Sequence, residues 1–180
     1  MKKNVFMFGA ILICLIAYSN VGRNVSALGL DEAKERKAIF QVIENETGCF
    51  FKRDYDGWKK NYVQTNYAFQ AWNEESGTFD AKVGWNEVDD KIGKYIKANP
   101  LNSKYKSEHP RIERRNIVTK FFGDDVAYLI WDQYNSDKQM LNYRHSKETR
   151  IMEKMNGEWK IVNISAFWDY KNVIPADSLN

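Results

Sequence analysis

Glu148 and Arg150 stand two apart in the stretch ETRIMEKMNGEWKIVNISAFW (148–168), whose alternation puts every second side chain on one face. A carboxylate and a guanidinium sharing a face can form an ion pair or hold the polar end of a ligand. The stretch also carries Asn156-Gly157, the dipeptide that supplies the two positive φ angles of a type I′ turn. A hairpin closed there sets Lys154 opposite Trp159, Met152 opposite Ile161, Arg150 opposite Asn163 and Glu148 opposite Ser165. One face then carries Glu148, Arg150, Met152, Ile161, Asn163, Ser165 and Phe167. The other is more apolar, with Thr149, Ile151, Val162, Ile164, Ala166 and Trp168. If the mixed face lines an interior, Glu148 and Arg150 must pair with each other or with Asn163, because an unpaired buried charge costs too much. On a solvent-facing sheet the same residues form a stabilising ion pair and nothing more.

Other groups with chemical potential are scattered. Asp54, Asp132 and Glu148 could act as bases, and Tyr55, Tyr67 and Tyr134 as donors, but no spacing ties a base to a donor. Asp54 reads more simply as a helix cap and Asp132 as a strand-end charge. His109, in a polar loop before Pro110, is expected in solvent, and His145 at a sheet end. Neither histidine has metal-ligand spacing, so no metal and no cofactor is expected. Cys49 has no evident activating partner. Asn45 and Asn163 begin glycosylation sequons but fall inside a helix and a strand, which makes coincidence the simpler reading. The six tryptophans, Trp58, Trp72, Trp85, Trp131, Trp159 and Trp168, are spread over every element, as are Tyr55, Tyr67, Tyr128 and Tyr134. Such rings build a core, a ring-stacking pocket or a protein interface.

The first 27 residues read as a signal peptide. Lys2 and Lys3 precede the apolar run Val5 to Ala17, and Val25-Ser26-Ala27 offers small residues for cleavage, so the mature chain is expected to begin at Leu28, secreted or periplasmic. The apolar run is shorter than the ~20 residues that span a bilayer, and no stable membrane anchor is expected. Lys2, Lys3 and Arg23 account for the whole net charge of +3, and the rest of the chain is formally neutral. That argues against nucleic acid as a partner. Cys49 is the one cysteine left after cleavage, so stability must come from packing rather than disulfides.

The elements follow from periodicity. A helix is expected from Glu32 to about Arg53 behind Asp31, burying Ile39, Val42, Ile43, Phe50 and Phe51, with Gly48 suggesting a close approach by another element or a ligand. A short helix containing Trp58 and Tyr62 follows an Asp54 or Asp56 cap. Period-two segments on either side of Glu74–Gly77 predict a hairpin, and Trp85 to Ile96 a third helix stopped by Asn99-Pro100. Arg111–Phe122 and Val126–Tyr134 predict two strands before the final hairpin. Short connections call for antiparallel pairing, hence an α+β domain with a curved antiparallel sheet packed on three helices.

This order, with GDDVAYLIWDQY and then ETRIMEKMNGEWKIVNIS, resembles the SnoaL-like branch of the nuclear transport factor 2-like superfamily over Leu30 to Asp169. The resemblance implies a cone-shaped, cystatin-like fold over 28–172, followed by a C-terminal tail over 173–180. It further implies a cavity between sheet and helices that family members use for isomerase, dehydratase or cyclase chemistry, or lose in association domains. Three functions are therefore expected as alternatives: binding of a small apolar or aromatic ligand in the cone, a dimerising interaction module, and acid/base catalysis in the same cavity. The residues expected to contact a small-molecule ligand are Tyr55, Trp58, Tyr67, Trp131, Glu148, Arg150 and Asn163, and a homodimer is expected through the sheet's outer face.

Overall fold

The computed structural model describes residues 31–179, so the expected signal segment and its cleavage site lie outside the described residues. Helix α1 (Glu32–Lys52) buries Ile39, Ile43 and Phe51, and with them Glu46 and Thr47. It ends at Arg53, whose φ of 63° lets the Arg53 and Asp54 amides fold back onto the Phe50 and Cys49 carbonyls at 3.1 and 2.8 Å. Asp54 then accepts the Gly57 amide at 2.9 Å and caps α2 (Tyr55–Lys59). Gly48 does not mark a close approach: a Cβ there would meet nothing within 4 Å. The nearby glycine that is tight is Gly57, where a Cβ would strike the Asp54 carboxylate and Cys49 Sγ; Gly93 is crowded likewise by Asp89 and Tyr55.

Strands β1 (Phe69–Asn73) and β2 (Phe79–Val83) form the first hairpin. The third helical segment runs as α3 (Trp85–Val88), a π-helical turn (Asp89–Gly93) and α4 (Lys94–Ala98). Then come β3 (Ile112–Phe122), β4 (Val126–Ser136), β5 (Asn142–Met155), β6 (Glu158–Trp168) and β7 (Ile174–Pro175). The strand order is β2-β1-β6-β5-β4-β3, with β7 on β5. The sheet is curved and unclosed, but not wholly antiparallel, since β1 lies parallel to β6. Short turns forbid parallel neighbours only between consecutive strands, and here the third helical segment and β3 to β5 intervene. The closing residues, expected as a tail, pair Ile174 and Pro175 with Tyr143 and Asn142 and bury Leu179.

Asn156 and Gly157 take φ values of 53° and 83°, as a type I′ turn requires, and Met152 pairs with Ile161. Beyond that pair the register slips. Ile151 is opposite Asn163, which leaves Val162 unopposed as a β-bulge and sets Arg150 against Ile164 and Glu148 against Ala166. Because side chains alternate, one extra residue exchanges the faces of the rest of β6. The core lies between the sheet's inner residues, among them Ala127, Leu129, Trp131, Met152 and Ile161, and the helical residues Ile39, Ile43, Trp58, Val88 and Ile96.

Candidate functional site

Between the sheet's inner face and the helices lies a cavity of about 560 Å³, within the roughly 300–1,000 Å³ typical of small-molecule sites. Its deep end is polar and its walls are aromatic. β5 brings Glu148 and Arg150, β4 brings Gln133, β1 brings Gln70, and α1 brings Glu46 and Thr47. Phe50, Phe51, Trp58, Trp72, Trp168 and Tyr170 supply the rings. The Val162 bulge is what turns Ile164, Ala166 and Trp168 inward to join them.

Glu148 and Arg150 are only 2% and 3% exposed, so their charges have to be answered inside the protein. Arg150 Nη1 donates to Glu148 Oε2 at 2.8 Å and to the Thr149 carbonyl at 2.9 Å, and Ser146 Oγ donates to Glu148 Oε1 at 2.8 Å. Glu46 is a second buried carboxylate. It accepts from Tyr62 OH at 2.6 Å and Trp58 Nε1 at 3.1 Å, and Gln70 Nε2 donates in turn to Tyr62 OH at 2.6 Å. Burial, and then the Glu46 charge, push the Tyr62 phenol well above its ordinary pKa, so it remains a donor at neutral pH. Arg114 on β3 reaches inward, donating to Thr47 Oγ1 at 3.0 Å, and its guanidinium and that of Arg150 lie 5.9 and 5.0 Å from the centre of the Trp131 ring system.

His109 borders the cavity instead of pointing into solvent. The loop before β3 is tied to α1 by the Glu108 amide on the Phe51 carbonyl at 3.0 Å and by the Arg53–Glu108 ion pair. The His109 ring sits edge-on to Phe51 at 4.3 Å and its Nδ1 bonds the Ser136 carbonyl. Burial holds its pKa below the ordinary histidine value. Asp132 is not a strand-end charge either. It points to the sheet's outer face, where Lys147, Asn116 (2.8 Å) and His145 (2.9 Å) surround it and depress its pKa strongly. Among the described residues no group of three His, Cys, Asp or Glu side chains is arranged to hold a metal ion.

Of the seven residues expected at a ligand, Trp58, Glu148 and Arg150 border the cavity. Trp131 is fully buried in the core against Arg150. Tyr55 turns to the third helical segment, bonding Asp89 Oδ1 at 2.8 Å, and Tyr67 is 48% exposed with its hydroxyl on Glu153 at 2.9 Å. The bulge puts Asn163 on the outer face opposite Ile151, where it reaches Ser165 and not Arg150. Sequence reasoning missed Glu46, Gln70, Gln133 and Arg114. Glu46 had a usable signal, since it falls three residues after Ile43 and seven after Ile39 on the buried stripe of α1.

Solved structures match this fold, although no family model matches the sequence and no curated protein does. A protein of unknown function with a cystatin-like fold from Nostoc punctiforme has a TM-score of 0.57 at 14% identity, covering 77% of this chain and 94% of its own. An NTF-2-like protein of unknown function from Shewanella oneidensis gives 0.55 at 16%, covering 74% and 98%. The association domain of CaMKII from C. elegans gives 0.57 at 16%, covering 77% and 98%. The fold is therefore the NTF2-like, cystatin-like α+β fold of these structures.

Proposed function

We propose that this protein binds a small, largely aromatic molecule in the cavity, as an exported domain acting outside the cytoplasm. The observation that carries the reading is the cavity's division of labour: aromatic walls able to cover a ring system, and a buried polar end whose carboxylates are already engaged. Glu148 is held by Arg150 and Ser146, and Glu46 by Tyr62 and Trp58. Carboxylate oxygens that already accept hydrogen bonds from the protein are less open to a substrate's proton, and that geometry favours binding over acid/base turnover. Titration with the neutral probe N-phenyl-1-naphthylamine tests this. Saturable one-to-one fluorescence enhancement is expected, and a linear, non-saturating response would overturn the reading.

A second property rests on a separate surface. The sheet's outer face presents Phe79 and Val83 of β2, Phe167 of β6, Ile151 of β5, Tyr128 of β4 and Val118 of β3, all exposed. Exposed apolar side chains spread over five strands of one sheet face, interspersed with polar ones such as Lys147 and Asn163, suit that face to a second copy of the chain. It can coexist with ligand binding, because the cavity opens on the opposite side of the sheet. No helix among the described residues is long and apolar enough to cross a membrane.

A further inference from the structure

The bonding of Arg150 is lopsided in a way that specifies ligand chemistry. Both its hydrogen bonds leave through Nη1, while Nε is buried without a partner and Nη2 makes no hydrogen bond among the described residues. Nε–H and the neighbouring Nη2–H point the same way along one edge of the planar guanidinium. That edge matches two coplanar oxygens, as a carboxylate presents them, and the match is specific to arginine. A buried, unmet donor on a charged group is costly, and on Arg150, a residue that lines the cavity, Nε meets no acceptor among the described residues.

The cavity has no excess of positive charge, since Glu46, Glu74, Glu108 and Glu148 line it with Lys91 and Arg150, so it is the unmet guanidinium edge itself that would draw an anion. Arg114 approaches Trp131 as Arg150 does, its Nε is also buried without a partner, and its bonded oxygen is the neutral Thr47 hydroxyl. Among the described residues, of the two guanidiniums only Arg150 has a carboxylate in ion-pair contact, Glu148. The other deep carboxylate, Glu46, is held by neutral donors. We infer that the ligand carries a carboxylate on its aromatic body, which takes the free Nε/Nη2 edge of Arg150 while Trp58, Phe50 and Trp168 cover the ring. The inference rests on the binding function proposed above and sharpens it to a chemical class.

The test is calorimetric titration with 2-naphthoate and methyl 2-naphthoate, which differ in the charged, two-oxygen terminus. The carboxylate is expected to bind at least about tenfold tighter than the ester. In Arg150→Lys, which keeps a cation beside Glu148 and so preserves the fold, naphthoate should lose about tenfold while the ester changes little. Equal or tighter binding of the ester, or a preference unaltered by Arg150→Lys, overturns the carboxylate inference even where N-phenyl-1-naphthylamine still binds. Failure of all three probes removes the cavity reading itself, and this inference with it.

Discussion

At the scale of single residues, the pair Glu148–Arg150 combines stability and binding in one place, and the two roles can be separated only with care. Each side chain is nearly inaccessible and 2.8 Å from its partner. Truncating Arg150 to alanine strands the Glu148 carboxylate, and a loss of about 3–5 kcal/mol is expected. The double substitution Glu148→Gln with Arg150→Met removes both charges and should cost much less than the sum of the single changes, which a double-mutant cycle in urea measures. Binding data are interpretable on the double variant and on Arg150→Lys, not on the alanine. Gly48 gives a cleaner case. It lies in the interior of α1 with open space around it, so Gly48→Ala should stabilise by about 1 kcal/mol and raise the melting temperature by about 2–4 °C. A decrease on thermal denaturation would show that the glycine serves a contact absent from this fold.

Elements carry the lesson about what the sequence shows. Asn156-Gly157 announces its hairpin because the turn's backbone angles restrict residue choice, and the cap at Asp54 is legible for the same local reason. The Val162 bulge is not legible. Nothing in the alternation of VNISAFW distinguishes a flat strand from a bulged one, yet the bulge decides that Ile164, Ala166 and Trp168, rather than Asn163 and Ser165, face the cavity. Glu46 and Arg114 were hidden because buried charge is recognised only by its partners, which lie on other elements. Asp132, midway along β4, yields a pH prediction. Lys147 chiefly, then Asn116 and His145, hold its folded-state pKa below the unfolded value of about 3.9. Between the two values the unfolded chain binds more protons, so this group's contribution is complete above about pH 5 and is lost as the pH falls below about 4. Asp132→Asn should flatten that acid limb in denaturant titrations at pH 3 to 7, and an unchanged limb would assign it to other carboxylates.

For the whole molecule, the two faces of the sheet carry separate predictions. Sedimentation at micromolar concentration should give a dimer, and Phe167→Glu with Ile151→Lys on the outer face should give monomers that still bind the cavity probe. A wild-type protein that remains monomeric would confine the apolar face to another role. N-terminal sequencing of the exported product should begin at Leu28, and retention of the first 27 residues would reject cleavage. The central claim, that the space between sheet and helices is a ligand site, is tested most directly by filling it. Ala166 is a small, buried residue on the cavity wall, so Ala166→Phe should occupy the space from within. Calorimetric titration of wild-type and Ala166→Phe protein with 2-naphthoate should show one-to-one binding in the first and none in the second, with the same fold by circular dichroism. Undiminished binding by the filled variant would contradict the account.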